Sequence, residues 1–143
     1  MVNYEILEKK VAYVQELLQD AKKYLDDYEK SKDKRDKLAL EREIEKIVET
    51  SIKINKEMLK IKNKFPPTYK DSFLYLEILQ VFEKKFLQES AETAIFRNEL
   101  AHEYMSMSSF YSLENMKKII KLYPKYFLNL VDFLENEQKK KDE

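Results

Sequence analysis

A chain of 143 residues with no glycine, no cysteine and only three prolines is poorly suited to tight β-hairpins, and its weight of Leu, Lys, Glu and Ala favours helices. Its 27 basic and 27 acidic residues cancel, so no global field gathers polyanions and any grip on phosphate has to be local. The absence of cysteine removes disulfides, iron–sulfur clusters and thiolate zinc sites, which suits a reducing cytoplasm.

The length fits one domain with a sizeable buried core, expected over residues 1–136 with a charged, disordered tail at 137–143. The start, Met1-Val2-Asn3-Tyr4-Glu5, reads as neither a signal peptide nor a membrane span, because charges interrupt every apolar stretch. From Tyr4, the positions Leu7, Val11, Val14, Leu18, Ala21, Leu25 and Tyr28 alternate in steps of three and four, the seam of one long helix. The wholly polar run Glu29 to Asp36 fits a solvated turn or a frayed helix end.

A second helix carries Leu40, Ile44, Ile47, Ser51, Ile54, Met58 and Ile61, and Val48, Ile52 and Leu59 widen its stripe enough to pack against more than one neighbour. Phe65-Pro66-Pro67 has to end it, and Thr68 or Asp71 can cap the next helix. Residues 69 to about 88 are apolar on nearly every side, so deep burial is expected, with a break near Gln80. A further helix starts near Ser90 and runs through Arg97 to Tyr104, and the serine-rich connection Met105–Ser109 offers N-caps. The last helix spans Phe110 to about Asn136, with Pro124 expected to kink or interrupt it. These elements make an all-α antiparallel bundle of four to five helices.

The one histidine, His102, lies in Phe96-Arg97-Asn98-Glu99-Leu100-Ala101-His102-Glu103-Tyr104. Only Arg35, Arg42 and Arg97 among the basic residues are arginine, so the chain departs from its lysine habit beside its histidine. Arginine holds a phosphate in two-point contact where lysine gives a mobile point charge, and histidine moves protons near neutral pH. Together they suit RNA cleavage by attack of the 2′-hydroxyl on the adjacent phosphate, a route that requires no metal. On one helix Arg97 and His102 stand about 140° apart, whereas Asn98 and His102 share a face. A two-fold dimer apposing two such helices would gather both arginines and both histidines in one cleft. On spacing alone, a histidine near a helix end is more often a cap or a partly buried packing residue than a catalyst, and the terminal lysines read as a solvated tail. No second histidine supports a metal site.

The octapeptide Arg97-Asn98-Glu99-Leu100-Ala101-His102-Glu103-Tyr104 resembles the R-N-x-L-x-H-x-Y signature of HepT proteins in the HEPN superfamily. Glu41-Arg42-Glu43-Ile44-Glu45 and Pro66-Pro67-Thr68-Tyr69-Lys70-Asp71-Ser72-Phe73 are similar to the opening of a long helix and the proline–aromatic connection in the same family, and the likeness spans about residues 4 to 135. Ile95 and Met105 stand where the family often has glycine, and Ala101 where valine is common. The resemblance implies a homodimeric, metal-independent endoribonuclease toxin of the type VII HepT/MntA toxin–antitoxin class, without cofactor, acting on RNA. In it Arg97 and His102 of two subunits form a composite site, Asn98 supports it, and an MntA-like minimal nucleotidyltransferase antitoxin AMPylates Tyr104. An alternative is a non-catalytic helical module that docks on such a nucleotidyltransferase.

Overall fold

The computed structural model describes residues 3–94 and 112–142, and every regular element among them is helical. In chain order these are α1 (Tyr4–Ser31), α2 (Lys34–Ile61), α3 (Tyr69–Leu74), a 3₁₀ turn (Tyr75–Leu79), α4 (Lys84–Glu92) and α5 (Leu113–Asp142). The expected all-α bundle is the fold that forms.

Local chemistry sets each boundary. Asn3 caps α1 by accepting the Ile6 amide at 3.2 Å, and Asp33 caps α2 by accepting the Arg35 amide at 2.8 Å. Each such cap contributes about 1 kcal/mol. Between the helices the polar run shrinks to Lys32 and Asp33, because Ser31 accepts the Asp33 amide and donates to the Asp36 carboxylate. With no glycine to supply left-handed backbone, Lys32, Asn63 and Gln80 take φ of 56°, 56° and 60°. Asn63 closes α2: its amide reaches the Lys60 carbonyl at 3.0 Å, and the next amide, Lys64, reaches Leu59 at 2.9 Å. The helix thus stops at Ile61, ahead of the prolines. Thr68, not Asp71, caps α3, accepting the Asp71 amide at 3.0 Å.

The seam of α1 buries Leu7, Val11, Val14, Leu18 and Ala21 as expected and adds Leu17, while Leu25 is only partly buried. The broad stripe of α2 is buried from Leu40 to Leu59 and faces α1, α3 and α5 at once. The two helices form an antiparallel hairpin, the most extensive pairing among the described elements. Against it α5 runs antiparallel to α1. Lys117 near its start bonds Glu29 near the end of α1 at 3.2 Å, and Glu137 near its end lies close enough to Tyr4 to help burial raise that hydroxyl's pKa.

Three expectations need correction. Residues 69–88 are not buried on every side: Tyr69, Tyr75 and Ile78 are 37%, 39% and 41% exposed. The 3₁₀ turn explains the last two, because three residues per turn align Leu76 with Leu79 inward and Tyr75 with Ile78 outward. Pro124 does not interrupt α5, and the helix continues past Asn136 to Asp142. The last helix is described from Leu113, where Ser112 accepts the Asn115 amide at 3.2 Å, and its expected start at Phe110 lies outside the described residues.

The core is closed by a buried polar chain. The Tyr126 hydroxyl donates to Asn55 Oδ1, the Asn55 amide donates to Ser72 Oγ at 3.4 Å, and Ser72 donates to the Tyr69 carbonyl at 2.6 Å. These bonds tie α5 to α2 and α2 to α3, inside a ring cluster in which Tyr126 lies 5.0 Å from Phe127, 5.9 Å from Phe82 and 6.0 Å from Phe73. Tyr126→Phe keeps the ring but strands the Asn55 oxygen, so it should lower stability by about 1–3 kcal/mol. Adding Asn55→Leu should cost less than the sum of the two single changes, as read by chemical denaturation of all four proteins.

Candidate active site

Arg97, Asn98, His102 and Tyr104, and the Met105–Ser109 connection, lie outside the described residues. The two ends of chain that carry them are described, and both are anchored.

The incoming end is α4. Its last turn passes through Thr93 and Ala94 in 3₁₀ geometry, and two side chains secure it from within: Ser90 donates to the Phe86 carbonyl at 2.9 Å and Thr93 to the Ser90 carbonyl at 2.6 Å. Thr93 Oγ1 also lies 2.7 Å from the Tyr123 hydroxyl. Since the threonine proton is already given to Ser90, Tyr123 is the donor in this pair. The outgoing end is α5, whose first turn is capped by Ser112. Tyr123 lies on α5, so one buried hydrogen bond fixes the end of α4 against the helix to which the chain returns.

Burial governs the chemistry of these hydroxyls. It pushes Tyr123 above the ordinary tyrosine range, and it pushes Tyr126 well above that range with help from Tyr123, 5.5 Å away between ring centroids. Both therefore serve as neutral donors.

Beside the Thr93–Tyr123 bond an open groove of about 730 Å³ separates α4 from the first half of α5. Phe86, Ile119 and Leu122 supply its apolar lining, and Thr93 and Asn115 mark the end nearest the two chain ends. Lys118, Lys121 and Lys125 line it from α5, while Glu89 and Glu92 line it from α4. The lysine row was open to reading in the sequence, since positions i, i+3 and i+7 share a helix face. Glu43 gave no such signal. It is buried in α2, where Lys46 bonds one carboxylate oxygen at 3.0 Å and the other has no hydrogen-bond partner among the described residues. Glu41, nearby, is half-buried, and desolvation raises its pKa against the partial opposition of Lys37.

Among the described residues no helix is long and apolar enough to cross a membrane. The chain matches the family of ribonucleases described as HepT-like over residues 11–120, a span that includes the octapeptide, and it belongs to that family. Membership makes RNA cleavage its activity class and RNA its substrate class. No curated protein matches it.

The buried tyrosines give a pH dependence with a definite sign. An unfolded tyrosine ionises near pH 10, whereas Tyr123 and Tyr126 hold their protons to higher pH in the fold. Their contribution is therefore complete below about pH 10, and above it stability falls by about 1.4 kcal/mol per pH unit for each hydroxyl. Urea unfolding between pH 8 and 11 should show this decline, and Tyr123→Phe should remove the part due to one group.

Proposed function

We propose that this chain is the ribonuclease toxin of a HepT/MntA-type toxin–antitoxin module, a single HEPN domain over residues 1–136 that works as a cytoplasmic homodimer. The observation that carries the reading is the octapeptide Arg97–Tyr104, an arginine, asparagine, histidine and tyrosine at the family's spacing within the matched residues.

Two copies of the segment, brought together by a two-fold axis, form one site for a phosphodiester. His102 of one subunit takes the proton of the 2′-hydroxyl, whose oxygen attacks the adjacent phosphorus. The P–O5′ bond breaks, and the imidazolium of the second subunit's His102 protonates the departing 5′-oxygen. The products are a 2′,3′-cyclic phosphate and a free 5′-hydroxyl, with atoms and charge balanced and no metal or cofactor used. Both Arg97 guanidinium groups clamp the non-bridging oxygens as negative charge grows on them, and Asn98, four residues before His102 in the sequence, orients the imidazole.

Tyr104 is the regulated position. Transfer of AMP onto its hydroxyl by an MntA-like nucleotidyltransferase antitoxin places a bulky anion beside a site built for an anion, so RNA is excluded by size and charge.

The test is direct. His102→Ala and Arg97→Ala should each lower cleavage of single-stranded RNA by at least about 10²-fold, with native cleavage persisting in excess EDTA and leaving cyclic phosphate ends. Equal cleavage by native and variant proteins would remove both residues from the chemistry. If the native dimer binds a nucleotidyltransferase but cuts no RNA, the binding-module alternative replaces this reading. Tyr104→Phe should cut RNA at the native rate while gaining no AMP, by mass spectrometry, after co-expression with a nucleotidyltransferase; a modified Tyr104→Phe protein would move the regulated position elsewhere.

A further inference from the structure

We propose that the groove between α4 and α5 is a binding subsite for single-stranded RNA, in which Lys118 and Lys121 take backbone phosphates of the strand that enters the active site. The assignment rests on the ribonuclease reading for its choice of ligand, but its residues are separate from the catalytic four.

The groove is well positioned for this. Thr93 and Asn115 line its end, and they stand next to the two points where the chain leaves and re-enters the described residues with the Arg97–His102 segment between them. A strand lying in the groove therefore points at the ends of the catalytic segment.

Its charge is also suitable. Lys118, Lys121 and Lys125 fall within about 60° of one another around α5 and rise along it in steps of about 4.5 and 6 Å. Lys125 is committed, reaching Glu83 at 3.9 Å and standing 5.8 Å from the Phe86 ring centroid. Lys117, one residue outside the row, is held by Glu29. Lys118 and Lys121 are exposed and have no ion-pair partner among the described residues, so they can take phosphates without breaking an existing bond. In a chain of zero net charge such a local row is the kind of feature that can hold a polyanion.

The opposite wall distinguishes a single strand from an undifferentiated polyanion. Glu89 and Glu92 would repel a second row of phosphates, but they can accept from the amino groups on base edges. Between the walls, partly buried Leu122 and the aliphatic stems of the lysines, lying over buried Phe86 and Ile119, give bases an apolar surface. A basic wall, an apolar floor and a carboxylate wall match, in that order, the backbone, the base face and the base edge of one strand.

The probe is a fluorescein-labelled RNA 12-mer carrying 2′-O-methyl groups throughout, which cannot be cut by 2′-hydroxyl attack. Its binding to the full chain is measured by anisotropy between 50 and 200 mM salt for the native protein, Lys118→Ala/Lys121→Ala, and a control, Lys22→Ala/Lys23→Ala, whose exposed lysines lie on α1. Loss of two phosphate contacts should lower the slope of log affinity against log salt by about 1.4, at about 0.7 per phosphate, and weaken binding about ten-fold at the lowest salt. The control should bind as the native protein does.

An unchanged slope and affinity in the Lys118/Lys121 variant would overturn the subsite. So would polyglutamate of matched charge binding as tightly as the RNA, which would assign the groove to an acidic protein partner. Because the probe is uncleavable, lysine-dependent binding by a protein that cuts no RNA would sink the nuclease reading and leave the subsite standing. Cleavage that survives with an unchanged KM in the double variant would do the reverse.

Discussion

Two tyrosine hydroxyls on one helix hold this molecule in register. Tyr126 donates into α2 and, through Asn55 and Ser72, connects α5 to α3, while Tyr123 donates to Thr93 and fixes the end of α4. Both rings are fully buried, and their burial keeps both hydroxyls neutral. Apolar packing alone would let α5 slide or rotate against its neighbours at modest cost, because Leu, Ile and Phe surfaces are not directional. Buried donors and acceptors add direction, since a small shift leaves a polar atom unpaired in a dry interior.

That constraint matters most where the chain passes from α4 to α5. The catalytic residues proposed here stand between two anchored ends, and the geometry of a two-subunit site can be no better defined than those ends. Thr93 fulfils three conditions at once: it finishes the last turn of α4, accepts from Tyr123 and lines the groove.

Most of the fold was legible in the sequence because helical periodicity is a local property. The seams of α1 and α2 could be counted off, and Pro66-Pro67 and Thr68 announced the boundary between α2 and α3. The failures came where local pattern does not decide. In residues 69–88 the apolar residues fall on nearly every side of a helix, so periodicity does not sort inside from outside, and only the three-residue turn separates Leu76 and Leu79 from Tyr75 and Ile78. Asn55 and Glu43 sit at core positions with polar side chains, which a hydrophobic stripe cannot anticipate. For the candidate site the position was reversed: Arg97 and His102 were visible from residue type and family likeness, whereas the groove depends on two helices distant in sequence, and the row on α5 becomes a wall only once α4 faces it.

Pro124 has a mechanical consequence. It lies within the continuous helix α5, between Lys121 and Lys125, and it cannot supply the amide that would otherwise reach the Ile120 carbonyl. A rod with one rung missing has its greatest compliance at that rung. Here the missing rung falls within the stretch of α5 that lines the groove, between Leu122 and Lys125, so a bend of α5 at this point would change the width of the groove. The buried hydroxyls on either side of it, Tyr123 and Tyr126, tie the helix to α4 and α2.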